Sequence, residues 1–187
     1  MPRPTSLPWT EDEEANKLLA ENDLALLLGM LLDQQFPMER AFYGPYLIKQ
    51  RMGGKLDAAA IAAASPEEFE ALAKGPPAIH RFPGSMGKRT QEVCQALVDN
   101  WDGDAGKLWN TAADGKELLK RLKALPGYGD AKARIFVAIL GRHMGVQPPG
   151  WEEVAADWPN ISDVFSWDDV AELRLKKKEM KAAAKKG

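Results

Sequence analysis

The sequence predicts an all-α protein, and three observations lead to that class. Alternating β-branched stretches never extend beyond a few residues, apolar positions recur at helical spacing, and cap and stop signals bracket the resulting segments. The 187 residues, 45% of them hydrophobic, suffice to bury a sizeable core, so a single domain over 1–187 is expected.

A first helix is predicted over 11–21 behind a Thr10 cap. The segment NDLALLLGMLLDQQ follows, apolar on nearly every side from Leu24 to Leu32, which marks a central helix surrounded by others. Pro37 opens PMERAFYGPYLIKQRM. Ser65-Pro66-Glu67-Glu68 then starts a short helix through Ala73, with proline at its first position and acids in its first turn. After the break KGPPAIHRFPG, helices are predicted over 85–101, 114–124 and 130–144, the second with Leu118, Leu119 and Leu122 on one face. Beyond Gly145 the chain becomes rich in proline and tryptophan, GVQPPGWEEVAADWPN. The last helix ends in a basic tail, 172–187, expected to be a solvated, frayed end whose lysines serve solubility more than DNA. No internal repeat is present.

A formal charge of −2 and a pI of 5.8 argue against a protein that coats polyanions indiscriminately. The distribution is uneven: Met1 to Lys74 holds 12 acidic and 7 basic residues, Lys116 to Arg142 only 2 acidic against 7 basic, so a local basic face is available. The single cysteine, Cys94, rules out an intrachain disulfide and any four-thiolate zinc or iron–sulfur site. Its helical context, QEVCQALV, makes it a packed thiol, and a reducing cytoplasm is the expected compartment. The N-terminus lacks the apolar core of a signal peptide, and the longest apolar run is about half the ~18 residues of a membrane span. His80 and His143, the only histidines, stand far apart without metal-ligand spacing; no metal and no cofactor are expected.

The stretch LPGYGDAKARIF, from Leu125, is the most informative. A helix ending at Leu125 meets a hard stop at Pro126 and a residue free to take positive φ at Gly127; Gly129 offers the same freedom before Asp130 begins the next helix. The two glycines therefore make a tight hairpin between helices. Its bare backbone lets the amides at the start of the second helix approach an anion, where the helix dipole also favours negative charge, and a nucleic-acid phosphate is the obvious one. Lys132 and Arg134 add positive charge there as non-sequence-specific anchors, and Ala133 is small enough for close helix packing. The carboxylate of Asp130 competes for the same amides. The plainer alternative is a helical corner with a glycine stop.

LPGYGDAKA resembles the helix-hairpin-helix of the HhH-GPD superfamily of DNA glycosylases, which includes endonuclease III and the alkyladenine glycosylases. LLLGMLLDQQFPMERAF is similar to that superfamily's buried helix near the start of the glycosylase domain, and FPGSMGKRTQEVCQALVD to the helix ahead of its hairpin. The three blocks keep the family's order and cover Leu24 to Arg142, and the whole chain resembles a bacterial branch of the superfamily. The resemblance implies a two-lobed helical fold with the hairpin motif at 114–144 and, here, no iron–sulfur cluster. It implies that the turn of Gly127, Tyr128 and Gly129 holds the phosphate 3′ of a lesion, and that Gln35, with Gln34, probes or fills the gap left by an extruded base, a step costing a few kcal/mol of stacking and pairing.

Two positions depart from the family pattern. Bifunctional members place a catalytic lysine two residues after the second hairpin glycine, where this chain has Ala131; Lys132, rotated about 100° around the helix, is expected to face phosphate, so no AP-lyase activity is expected. The family's aspartate about twenty residues beyond the hairpin has its counterpart in GVQPPGWEEV, which contains none. Glu152 and Glu153 are the candidate substitutes and Asp157 a weaker one, the alternative being surface carboxylates. His80, with Arg81 and Phe82, and Trp151 are the candidate walls of a base pocket; Phe36, Tyr43 and Trp158 are further aromatics able to stack. The resemblance thus implies a monomeric, membrane-free, monofunctional glycosylase that hydrolyses the N-glycosidic bond of a damaged or modified base in double-stranded DNA. The alternatives are a non-catalytic binder of damaged DNA on the same scaffold and a helical protein-interaction domain.

Overall fold

The computed structural model describes residues 2–186; Met1 and Gly187, the ends of the predicted domain and tail, lie outside them. Every regular element among the described residues is helical: α1 (Glu13–Glu21), α2 (Asp23–Leu32), α3 (Met38–Ala41), α4 (Gly44–Arg51), α5 (Ala58–Ala63), α6 (Pro66–Lys74), α7 (Pro83–Trp101), α8 (Ala105–Asn110), α9 (Gly115–Lys123), α10 (Asp130–His143), α11 (Trp151–Val154), a 3₁₀ turn (Ile161–Asp163) and α12 (Asp168–Lys186). No helix among them is long and apolar enough to cross a membrane.

The N-cap of α1 is Asp12, not Thr10. The Asp12 carboxylate accepts from the Ala15 amide at 2.9 Å, while the Thr10 hydroxyl accepts from the Asp12 amide at 3.0 Å and donates to Asn16 at 2.7 Å. A carboxylate one residue inside the predicted start takes the cap, and Thr10 orients it. The short helices α5 and α8 have no counterpart in the sequence-based assignment; each begins at an aspartate cap, Asp57 or Asp104. Their six residues are too few for an apolar stripe to declare itself.

Helix α2 is the hub. Leu24 through Leu32 are all buried, each leucine contributing about 2 kcal/mol relative to exposure, and the helix packs against α1, α3, α4, α7, α8 and α10. Two groups of helices flank it. In one, α7 carries α5 and α6; in the other, α10 carries α9, α11 and the 3₁₀ turn, with α12 docked onto that turn. Trp9 ties the chain's two ends together, donating its indole N–H to the Val164 carbonyl at 3.0 Å. Cys94 is fully buried, and burial pushes its thiol well above the usual range, as expected for an inert packed thiol.

Candidate nucleic-acid interface

The hairpin closes on a turn in which Tyr128 N–H donates to the Leu125 carbonyl at 3.2 Å, with Pro126 and Gly127 in the middle and φ +80 at Gly127. That is a type II turn, whose third residue requires positive φ. A Cβ at Gly127 would lie 2.8 Å from Leu31 Cδ1 and 3.1 Å from the Arg89 side chain, so close packing forbids a side chain there as well. Gly129 differs from the expectation: its φ is −73 in extended backbone, and a Cβ would meet nothing within 4 Å. What Gly129 provides is access. The amides of Gly127, Gly129, Asp130, Ala131 and Lys132 have no acceptor among the described residues. Asp130 does not cover them. Its carboxylate is turned to Arg134 at 2.8 Å and Lys123 at 3.1 Å, and those bonds hold it below the usual carboxylate range.

Three residues expected on DNA are directed into the protein. Tyr128 is 3% exposed; its ring stands edge-on to Phe136 and its hydroxyl donates to the Leu27 carbonyl, so it plugs the space between α2 and α10. Arg134 pairs with Asp130 and donates to the Val154 carbonyl at 3.1 Å, joining α10 to the end of α11. Lys132 does not face outward toward phosphate. Its ammonium donates to the Leu31 carbonyl at 2.7 Å and to Gln34 Oε1 at 2.8 Å, bridging the hairpin to the C-terminal end of α2. An unfilled helix C-terminus is an attractive place for a cation. Burial nonetheless lowers the pKa of this amine to about 8, against the opposing pull of Asp33 and with help from Arg89.

The adjoining turn separates the two glutamines. Gln34 is anchored twice, through its side chain to Lys132 and through its carbonyl to His80 Nε2 at 2.9 Å. Gln35 is exposed at φ +51, a left-handed conformation that costs a non-glycine residue about 1 kcal/mol. His80 is 1% exposed, its Nδ1 accepts from the Phe82 amide at 3.0 Å, and its ring packs against Phe36 and Phe82. With both nitrogens engaged and burial depressing its pKa, it props up the glutamine turn and does not line a base pocket.

Asp33 was missed in the sequence. It caps the C-terminal end of α2, flanked by the two residues that accept from Lys132. An acid at a helix C-terminus opposes the macrodipole, and this carboxylate has no hydrogen bond or ion pair among the described residues; burial raises its pKa despite the nearby charges of Lys177 and Lys132. The signal lay in LLDQQ, an acid ending an otherwise apolar helix.

The segment after the hairpin lies elsewhere. Glu152 and Glu153 are exposed on α11, which packs on α9 and α10, and Asp157 is exposed beyond it. The Trp151 ring lies over Gly141, near the end of α10 opposite to the hairpin, and the backbone of Gly150 and Trp151 lies against Gly115; Trp151 packs the fold together and forms no wall near Gln35. The structure therefore brings together Gln34, Gln35, His80, Lys132, the hairpin glycines and Asp33, and leaves Glu152, Glu153 and Trp151 outside the group. No protein-family model, curated protein or solved structure matches the chain.

Proposed function

We propose that this protein is a base-excision DNA repair protein of the HhH-GPD type, acting as a glycosylase on a damaged or modified base in duplex DNA. In this reading the groups of helices around α2 are the two lobes of that fold. The observation that carries it is the Lys132 bridge, which ties Leu31 and Gln34 to the hairpin and so sets the turn that bears the strained, exposed Gln35 and the partnerless Asp33 beside a row of free amides. The amides hold a backbone phosphate at the start of α10. Gln35 enters the stack beside the extruded nucleotide. Asp33, and not Glu152, stabilises the positive charge that develops on the sugar as the base departs, and directs the water that adds to C1′.

The test is release of free base from duplexes carrying a panel of lesions. Asp33→Asn abolishes release while preserving preferential binding to the lesion, whereas Glu152→Gln leaves both unchanged; activity that survives Asp33→Asn removes the assignment. A second outcome tracks Lys132. With a pKa of about 8, about a tenth of the amine is unprotonated at pH 7. Borohydride trapping of the protein on an abasic duplex, lost in Lys132→Gln, replaces hydrolysis by amine attack. The alternative of a non-catalytic binder of damaged DNA is favoured by the exposed position of Glu152 and Glu153, and predicts lesion-selective binding with no base release.

A further inference from the structure

Helix α12 continues unbroken to Lys186, so the tail is not frayed among the described residues. Val170 and Leu173 are its buried residues, and every residue from Arg174 to Lys186 is exposed. This half of the helix contains 7 basic residues and one acidic residue, Glu179, in a chain whose formal net charge is −2. At about 100° per residue, Arg174, Lys177, Lys178, Lys181 and Lys185 fall within an arc of about 100°, while Glu172 and Glu179 lie on the opposite side. The five cations line one shallow groove and form a stripe about 16 Å long.

The stripe begins at the candidate interface. Arg174 is paired with Glu39, and Lys177 lies close enough to Asp33 to lower its pKa, in the same neighbourhood that Lys132 enters from the hairpin. Lys177, Lys178, Lys181 and Lys185 have no ion-pair partner among the described residues, whereas Lys176, on the other side of the helix, is paired with Glu172 at 2.9 Å. The exposed apolar residues, Leu175 at 57% and Met180 at 44%, are five positions apart and about 140° around the helix from each other. They make no apolar face of the kind that seats a helix in a bilayer. Unpartnered charge without such a face suits a polyanion.

We propose that the cationic stripe of α12 is a second phosphate-binding surface, which carries duplex DNA outward from the hairpin and Gln35. The proposal rests on the DNA reading above. The stripe supplies affinity without sequence information, and each phosphate it neutralises adds about 0.9 to the slope of log affinity against log salt. The hairpin holds one point of the backbone; the stripe would extend the footprint along a strand and so set the orientation of the duplex over Gln35.

The experiment measures the salt dependence of duplex binding by the full chain, by a variant with Lys177, Lys178, Lys181 and Lys185 changed to Gln, and by a charge-matched control with the same change at Lys17, Lys55, Lys74 and Lys176. All eight lysines are exposed, and helicity and melting temperature check that the fold is kept. The stripe variant is expected to lose about 3 from the slope and to bind roughly ten- to a hundredfold more weakly at moderate salt, with a change of less than about 1 in the control. Equal changes in both variants overturn the proposal while leaving the DNA reading intact. Absence of duplex binding by the unmodified chain at low salt overturns both. Binding of the unmodified chain to phosphatidylserine vesicles, lost only in the stripe variant and unaccompanied by a change in the DNA slope, assigns α12 to a membrane surface and overturns it also.

Discussion

In the hairpin, Lys123, Lys132 and Arg134 all end on protein acceptors; in the outer half of α12, Lys177, Lys178, Lys181 and Lys185 end on none among the described residues. Along the sequence both regions are simply basic. The difference is one of supply: the turn of the hairpin lies against the carbonyl end of α2 and carries its own Asp130, so the three cations beside that turn are absorbed in holding helices together, while Lys116 and Lys120, farther along α9, are exposed. Helix α12 leaves the core after Leu173: Arg174 still reaches Glu39 on α3, and beyond it Lys177, Lys178, Lys181 and Lys185 find no acceptor among the described residues. A basic count therefore measures available charge only after the local acceptors are subtracted. What the hairpin offers an anion is its backbone.

If that contrast holds, changes to hairpin side chains act on stability, and so does a change that breaks the turn itself; only a change at the open backbone of Gly129 acts on binding alone. The largest effect is expected from Gly127→Ala. Left-handed backbone costs an alanine about 1–2 kcal/mol, and the contact with buried Leu31 adds about 1 more, so denaturant melts should show a loss of about 2–3 kcal/mol. Arg134→Gln comes next. It removes one charge-assisted bond to Asp130 and one to the Val154 carbonyl, for a loss of about 1 kcal/mol, with the salt slope of DNA binding unchanged. A fall in that slope would instead place the Arg134 guanidinium on phosphate.

Lys132 sharpens the comparison through pH. Its folded pKa, about 8, lies below its unfolded value near 10.4, so the unfolded chain binds the extra proton between those values and stability rises with pH across that window. Below pH 8 the amine is charged in both states and the burial penalty is fully present. The difference in stability between the natural chain and Lys132→Gln should therefore shift in favour of the natural chain from pH 8 to 10, as read from urea melts; a flat difference would mean that the amine is solvated. The smallest stability change is expected for Gly129→Ala, within about 0.5 kcal/mol, because the gain from a stiffer unfolded chain offsets a poorer N-cap and the Cβ meets open space. The same methyl stands among the free amides, so weaker duplex binding without loss of stability is the cleanest sign that a phosphate sits there.

Much of the fold was legible because local rules act over a few residues. The unbroken apolar run at Leu24 to Leu32 announced a helix buried on every side, Asp114 and Asp130 delimited the hairpin helices, and Pro126-Gly127 specified the turn that forms. The candidate site was legible as an open turn after Leu125 and an exposed Gln35, but not in the direction of its side chains. Tyr128, Lys132, Arg134 and His80 are polar residues on turns or first helical turns, and nothing in their neighbours along the chain says that Leu27, Leu31, Val154 or Gln34 will present carbonyls to them.

By itself the sequence determined the course of the longer helices, that the second of them is central, and that the chain turns sharply after Leu125, since each depends on φ preferences, caps and apolar spacing. The tertiary structure alone decided which cations remain free, which glutamine is held and which projects, and that Asp33 rather than Glu152 stands beside the hairpin. Those outcomes are set by distances between segments about a hundred residues apart, as between Lys132 and Leu31, and a carbonyl or a charge has no bearing on its partner until packing has brought the two within a few ångströms.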